Sequence, residues 1–170
     1  MGDGGGFAYQ KTFGADESVV VRDLTIRLDS ARTKIVDEDG LVVEEIATHH
    51  GDCPSVAYRI SYKGAAVVFS GDMDASALPN LVQLAKNADL LIFNCAVLDP
   101  PGSPSQLYEL HTPPKKIGEA ARESGVKSLL LSHLAPDVER QEDAVRKSIG
   151  AAFAGPVEFA NDKLRVPVGK

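Results

Sequence analysis

Four histidines and an aspartate stand where they could act together. His49, His50, His111 and His133 each fall at the end of an expected strand or the start of an expected helix, and none lies mid-element. Asp72 follows the apolar run Val67-Val68-Phe69 across Ser70-Gly71, so it sits where a strand stops and a glycine permits a tight turn. In an α/β layer, ligands collect at the carboxyl ends of strands, which favours an acid there over one on a helix face. Imidazole and carboxylate together are a ligand set for zinc or a similar transition metal. Taken singly, each residue has a plainer reading. Asp72 or Asp74 could cap a turn, and any one histidine could be a hydrogen-bonded loop residue. Their shared position at element ends is what points to a site.

The elements that must position them follow from pattern. Leu24, Ile26 and Leu28 alternate with Thr25 and Arg27 in a strand expected over 18–28. Lys34-Ile35-Val36 and residues 41–48 flank Asp39-Gly40, a strong hairpin signal; His49 and His50 close the second of these strands. Residues 55–62 turn at Lys63-Gly64 into 65–70. After Asp72, the spacing of Leu78, Leu81, Val82 and Ala85 predicts a helix with Ser76 as N-cap, ending near Asn87. A buried strand at 89–95 comes next, then a Pro/Gly-rich loop at 99–105. A helix over 112–124 leads into a strand ending at Ser132, which delivers His133. A further helix runs from about Val138 to Phe153, and short strands at 157–160 and 164–168 close the chain. This is an α/β reading, with a meander followed by strand–helix alternation.

Composition sets outer bounds. The chain has 170 residues, 44% hydrophobic and 25% charged, which suits one globular domain. A net charge of -6 and a pI near 5.2 offer no broad nucleic-acid patch. The Gly-rich residues 1–18 read as a flexible lead-in, and 19–170 as the folded unit. No signal peptide or membrane-length apolar run is visible, so a cytoplasmic protein with no membrane partner is expected. Cys53 and Cys95 form no C-x-x-C pair, which argues against a structural disulfide or a cysteine-rich zinc site.

Thr48-His49-His50-Gly51, then Pro54-Ser55-Val56-Ala57-Tyr58-Arg59-Ile60, Phe69-Ser70-Gly71-Asp72, His111-Thr112-Pro113 and Leu131-Ser132-His133-Leu134-Ala135-Pro136 together resemble the C-terminal half of the metallo-β-lactamase fold, in its ribonuclease Z-like branch. The resemblance implies a half-fold of the αββα type, a mixed sheet with helices on one face. It implies that His50 binds one metal, Asp72 bridges two and His133 binds the second, with one or two zinc ions as cofactor. It also implies that His111 assists proton transfer, so that His111 and Asp72 are the catalytic pair. His49 stays the register alternative to His50.

The family's H-x-H-x-D-H motif occurs nowhere in this sequence. Two readings follow. One is a metal-dependent hydrolase of a phosphodiester, another ester or a small molecule, completed by a missing N-terminal half. The other is a truncated, non-catalytic remnant serving as a binding or oligomerisation module. Under either, strands that are apolar on consecutive residues need cover on both faces, and helices can cover only one. The expected cover is a homodimer, the missing half, or the N-terminal segment folded back.

Overall fold

Two tight turns of like kind open the sheet. Asp39 and Gly40 take φ of 50° and 81°, and Lys63 and Gly64 take 48° and 82°. Two consecutive residues in the left-handed region match the twist of the flanking strands in a two-residue hairpin. The computed structural model describes residues 31–169; the Gly-rich lead-in and the strand expected over 18–28 lie outside them. Within that range the turns join β1 (Thr33–Glu38) to β2 (Leu41–His50), and β3 (Cys53–Tyr62) to β4 (Ala65–Phe69). These four strands pair antiparallel.

The chain then alternates. A 3₁₀ turn (Ala75–Ala77) and α1 (Leu78–Leu84) lead to β5 (Leu90–Asn94), α2 (Pro114–Ser124) to β6 (Ser128–Ser132), and α3 (Pro136–Glu139) with α4 (Glu142–Gly150) to β7 (Val157–Phe159). Helical crossovers return the chain to the same end of the sheet, so β4 to β7 are parallel. Among the described residues, seven strands make one mixed sheet in chain order.

One face of the sheet packs the core. Ile46, Ala57, Val68, Leu91, Phe93, Leu129 and Leu131 meet Leu81, Leu84, Ile117, Ala121, Val145 and Ile149 of the helices. On the other face, Ile60, Tyr62 and Phe69 stay 36%, 46% and 40% exposed. Ile60 is registered with Val67, Tyr62 with Ala65 and Phe69 with Tyr58, so the three belong to one apolar surface. Glu45 shares that face opposite Tyr58. It is buried, its Oε2 has no hydrogen-bond partner among the described residues, and burial pushes its carboxyl above the usual range.

Four expectations need correction. Asp74, not Ser76, is the N-cap after β4: its carboxylate accepts from the Ser76 backbone N–H, which a longer acidic side chain does while also reaching a second partner. The helix after His111 begins at Pro114, because Thr112 is committed to a tertiary bond. The helix expected from Val138 to Phe153 is two helices, broken at Arg140-Gln141, where Gln141 takes φ -127° and ψ 32°. Residues 164–168 form no strand.

Candidate active site

The direction of four strands places the site. β2, β4, β5 and β6 all run the same way, so their carboxyl ends share one rim and bring His50, Asp72, Asn94 and His133 to it. His111 arrives from the loop before α2. The His133 Nε2 lies 3.7 Å from Asp72 Oδ1, and the His111 Nδ1 lies 4.0 Å from the same oxygen. The His111 ring centroid is 5.2 Å from that of His50 and 5.8 Å from that of His133. His50, Asp72, His111 and His133 thus form one cluster. His49 does not join it: its Nδ1 is 2.5 Å from Asp74 Oδ2, on the other side of the strand.

Local backbone demands hold the cluster in place. Gly71 has φ +61°, and a Cβ there would stand 3.1 Å from the Val56 carbonyl oxygen, so the turn that presents Asp72 accepts only glycine without strain. At Gly51, φ is +57° and a Cβ would meet Leu110 Cδ2 at 2.8 Å. That close approach brings the Leu110 carbonyl to the His50 Nδ1, which donates to it at 2.8 Å. The tautomer is thereby fixed and Nε2 is left as the free electron pair, the arrangement of a metal-ligating imidazole. His133 itself lies at φ +52°, in the left-handed region, which histidine enters more readily than most residues with a Cβ.

Two residues that the sequence pattern did not single out complete the arrangement. The Asn94 amide donates to Asp72 Oδ1 at 2.7 Å, and Ser132 Oγ donates to Asn94 Oδ1 at 2.8 Å. A polar pair closing two otherwise apolar strands was the available signal. Ser55 Oγ donates to the Asp72 carbonyl at 2.7 Å, and buried Thr112 Oγ1 donates to the Met73 carbonyl at 2.9 Å.

Charge follows burial. His111 is mostly buried, with a side chain 12% exposed, and its Nδ1 has no hydrogen-bond partner among the described residues. Burial lowers its pKa; the Asp72 carboxylate opposes this, and His50 and His133 add to it. Burial alone would raise the Asp74 carboxyl, but bonds from Ser76 and His49 outweigh it and hold the group below the usual carboxylate range. The buried Cys95 thiol is pushed up to about 12 by burial, which removes it as a nucleophile at neutral pH.

The donors suit zinc in kind. A buried imidazole nitrogen without a partner, a second imidazole with a free Nε2 and a carboxylate approached by two rings are what an ion would satisfy. In number they fall short: among the described residues no three His, Cys, Asp or Glu side chains are grouped to hold one ion. In kind, though not in number, these residues fit a metal ion.

A mixed sheet of this order with helices, bearing its polar rim at the strand ends, is the metallo-β-lactamase fold, and this chain carries about half of it. Its branch is the ribonuclease Z-like one. Over 139 residues it is 30% identical to the ribonuclease Z of Mycobacterium avium, covering 78% of this chain and 49% of that protein. The ribonuclease Z of Streptomyces avermitilis is 28% identical over 167 residues, with 88% of this chain and 54% of that protein covered. The metallo-β-lactamase fold protein YhfI of Bacillus subtilis superposes with a TM-score of 0.68 at 25% identity, over 81% of this chain and 53% of that one. The chain spans about half the length of the curated relatives it matches. No family model matches it.

Proposed function

We propose that the rim is one half of a metal-dependent hydrolase site that cleaves a phosphodiester or another ester. The observation that carries this is the approach of His111 and His133 to the same oxygen of Asp72. His50, Asp72 and His133 hold zinc, as one or two ions, together with ligands from outside the described residues. A divalent ion there supplies Lewis acidity toward a phosphoryl oxygen. The chain's own residues do the rest. Asn94 fixes one Asp72 oxygen, the Leu110 carbonyl fixes the His50 ring, and His111 moves a proton to or from the leaving group. Burial outweighs the Asp72 carboxylate and lowers the His111 pKa, so the neutral ring, able to accept a proton, is the favoured form. The ribonuclease Z relatives favour a phosphodiester as the bond class. The chain purified with zinc present is expected to retain the ion and to hydrolyse bis-p-nitrophenyl phosphate, at least when combined with a polypeptide that supplies the N-terminal half of the fold. Neither retention nor hydrolysis under both conditions would support the non-catalytic binding module instead.

The exposed apolar part of this sheet face calls for a partner, and we propose that a second copy of the chain covers it. Exposed Ile60, Tyr62 and Phe69 in register form a surface that a two-fold contact can bury against itself. Sedimentation is expected to give a species about twice 18.1 kDa, and Phe69→Glu to return it to a monomer. A wild-type monomer would remove the homodimer. No described helix is long and apolar enough to cross a membrane; a cytoplasmic location belongs to the same proposal.

A further inference from the structure

His49 is the histidine that the proposed chemistry leaves unused, yet its surroundings are built. The ladder between β3 and β4 ends at Tyr58 and Phe69, and the last sheet bond of this segment runs from the Ser70 N–H to the Ile92 carbonyl of β5 at 3.0 Å, so from Gly71 onward the residues that carry Asp72 leave the sheet without strand pairing to guide them. β2, which carries His50, is separated from β4 by β3. No ladder hydrogen bond therefore sets where Asp72 lies relative to His50. Two ties span the gap: a relay from Thr48 Oγ1 of β2 through Ser55 Oγ to the Asp72 carbonyl, and Asp74. Its backbone N–H donates to the His49 carbonyl at 2.8 Å, and its Oδ2 receives the His49 Nδ1 at 2.5 Å. Its other oxygen takes the Ser76 backbone N–H at 2.7 Å and the Ser76 hydroxyl at 2.5 Å, so the carboxylate is oriented before it meets the imidazole. The Asp74 side chain is 10% exposed, whereas that of His49 is 41% exposed. An imidazole so open contributes little to the core, and its hydrogen bond serves geometry.

We propose that His49 and Asp74 are a positioning pair that sets His50 and Asp72, their near neighbours in the chain, at a fixed separation across β3. This rests on the reading of the rim as a ligand site, and it makes His49 a distinct element of that site, not an alternative ligand. Ser55, bonded to the Asp72 carbonyl, supports the loop midway over β3. The pair fastens its far end.

The test uses the full chain with Asp74→Ala, His49→Ala, His49→Gln and Asp74→Asn. Long-range proton–nitrogen spectra report the four imidazoles, and competition with a chromophoric chelator reports zinc affinity. Asp74→Ala and His49→Ala are expected to shift and broaden the His50 and His111 ring signals and to weaken zinc about tenfold or more, the usual effect of removing a partner behind a ligand. His49→Gln and Asp74→Asn keep a hydrogen-bonding group at each place and are expected to restore most of both signals. Unchanged His50 and His111 signals in folded His49→Ala would overturn the proposal. If Asp74→Ala fails to fold, the part-exposed His49 position still decides it. If the wild-type chain binds no zinc, the hydrolase reading loses its support while the ring signals continue to test the positioning.

Discussion

Asp72→Ala is expected to abolish zinc retention and phosphodiester cleavage together while leaving the fold in place. The side chain is 33% exposed, and the tie that holds its segment, Ser55 Oγ to the Asp72 carbonyl, uses main chain that alanine keeps. The Asn94 amide loses its acceptor, but at a rim open to water this costs no more than about 1 kcal/mol. The ligand loss is larger. Removing an outer partner of a ligand costs about 10- to 100-fold in metal affinity, and Asp72 is the oxygen on which His111, His133 and Asn94 all converge. The same variant carries an electrostatic signature. Asp72 is the group that opposes the effect of burial on His111, so its removal should lower the His111 pKa further, readable by proton NMR titration of the metal-free chain. Zinc content unchanged in Asp72→Ala would exclude Asp72 as a ligand.

The position of the rim was legible in the sequence because it depends on where strands stop, and stops are local. Asp39-Gly40 and Lys63-Gly64 announce their turns through residues that tolerate positive φ, and the glycine before Asp72 does the same. Adjacent His49 and His50 were not separable by composition. Neighbours on a strand face opposite ways, and only the tertiary neighbours show that His50 faces His111 while His49 faces Asp74. Asn94 was hidden because it closes a strand whose other residues read as core; its role exists only once β4, β5 and β6 lie side by side. The strand expected over 164–168 failed for a related reason. Leu164, Val166 and Val168 alternate as a strand would, but Pro167 has no N–H to donate, and the strand that closes the described sheet at that side, β7, is only three residues long. Local pattern proposes a strand, and an available edge decides it.

Gly118→Ala is expected to destabilise the protein, against the ordinary preference of helices for alanine. In an exposed helix interior the change would stabilise by about 1 kcal/mol. Gly118 instead lies buried in α2, where an added Cβ would stand 2.6 Å from the Ile149 carbonyl oxygen and 3.0 Å from its Cα. Those atoms are backbone, so no rotamer change relieves the contact and α2 must move away from α4. Overpacking of this kind costs about 1–3 kcal/mol, enough to exceed the helical gain and lower the melting temperature by about 2–8 °C in a domain of this size. Gly150→Ala is the control, because a Cβ there meets nothing within 4 Å; it should be neutral or slightly stabilising. The displacement should also reach the rim. α2 starts at Pro114, two residues beyond Thr112, whose hydroxyl holds the Met73 carbonyl next to Asp72. A helix pushed outward pulls on that bond and on His111 before it, so the His111 ring signal should shift in Gly118→Ala and not in Gly150→Ala. Equal melting temperatures for the two variants would show that the helices part without cost and would remove Gly118 as the contact that sets their spacing.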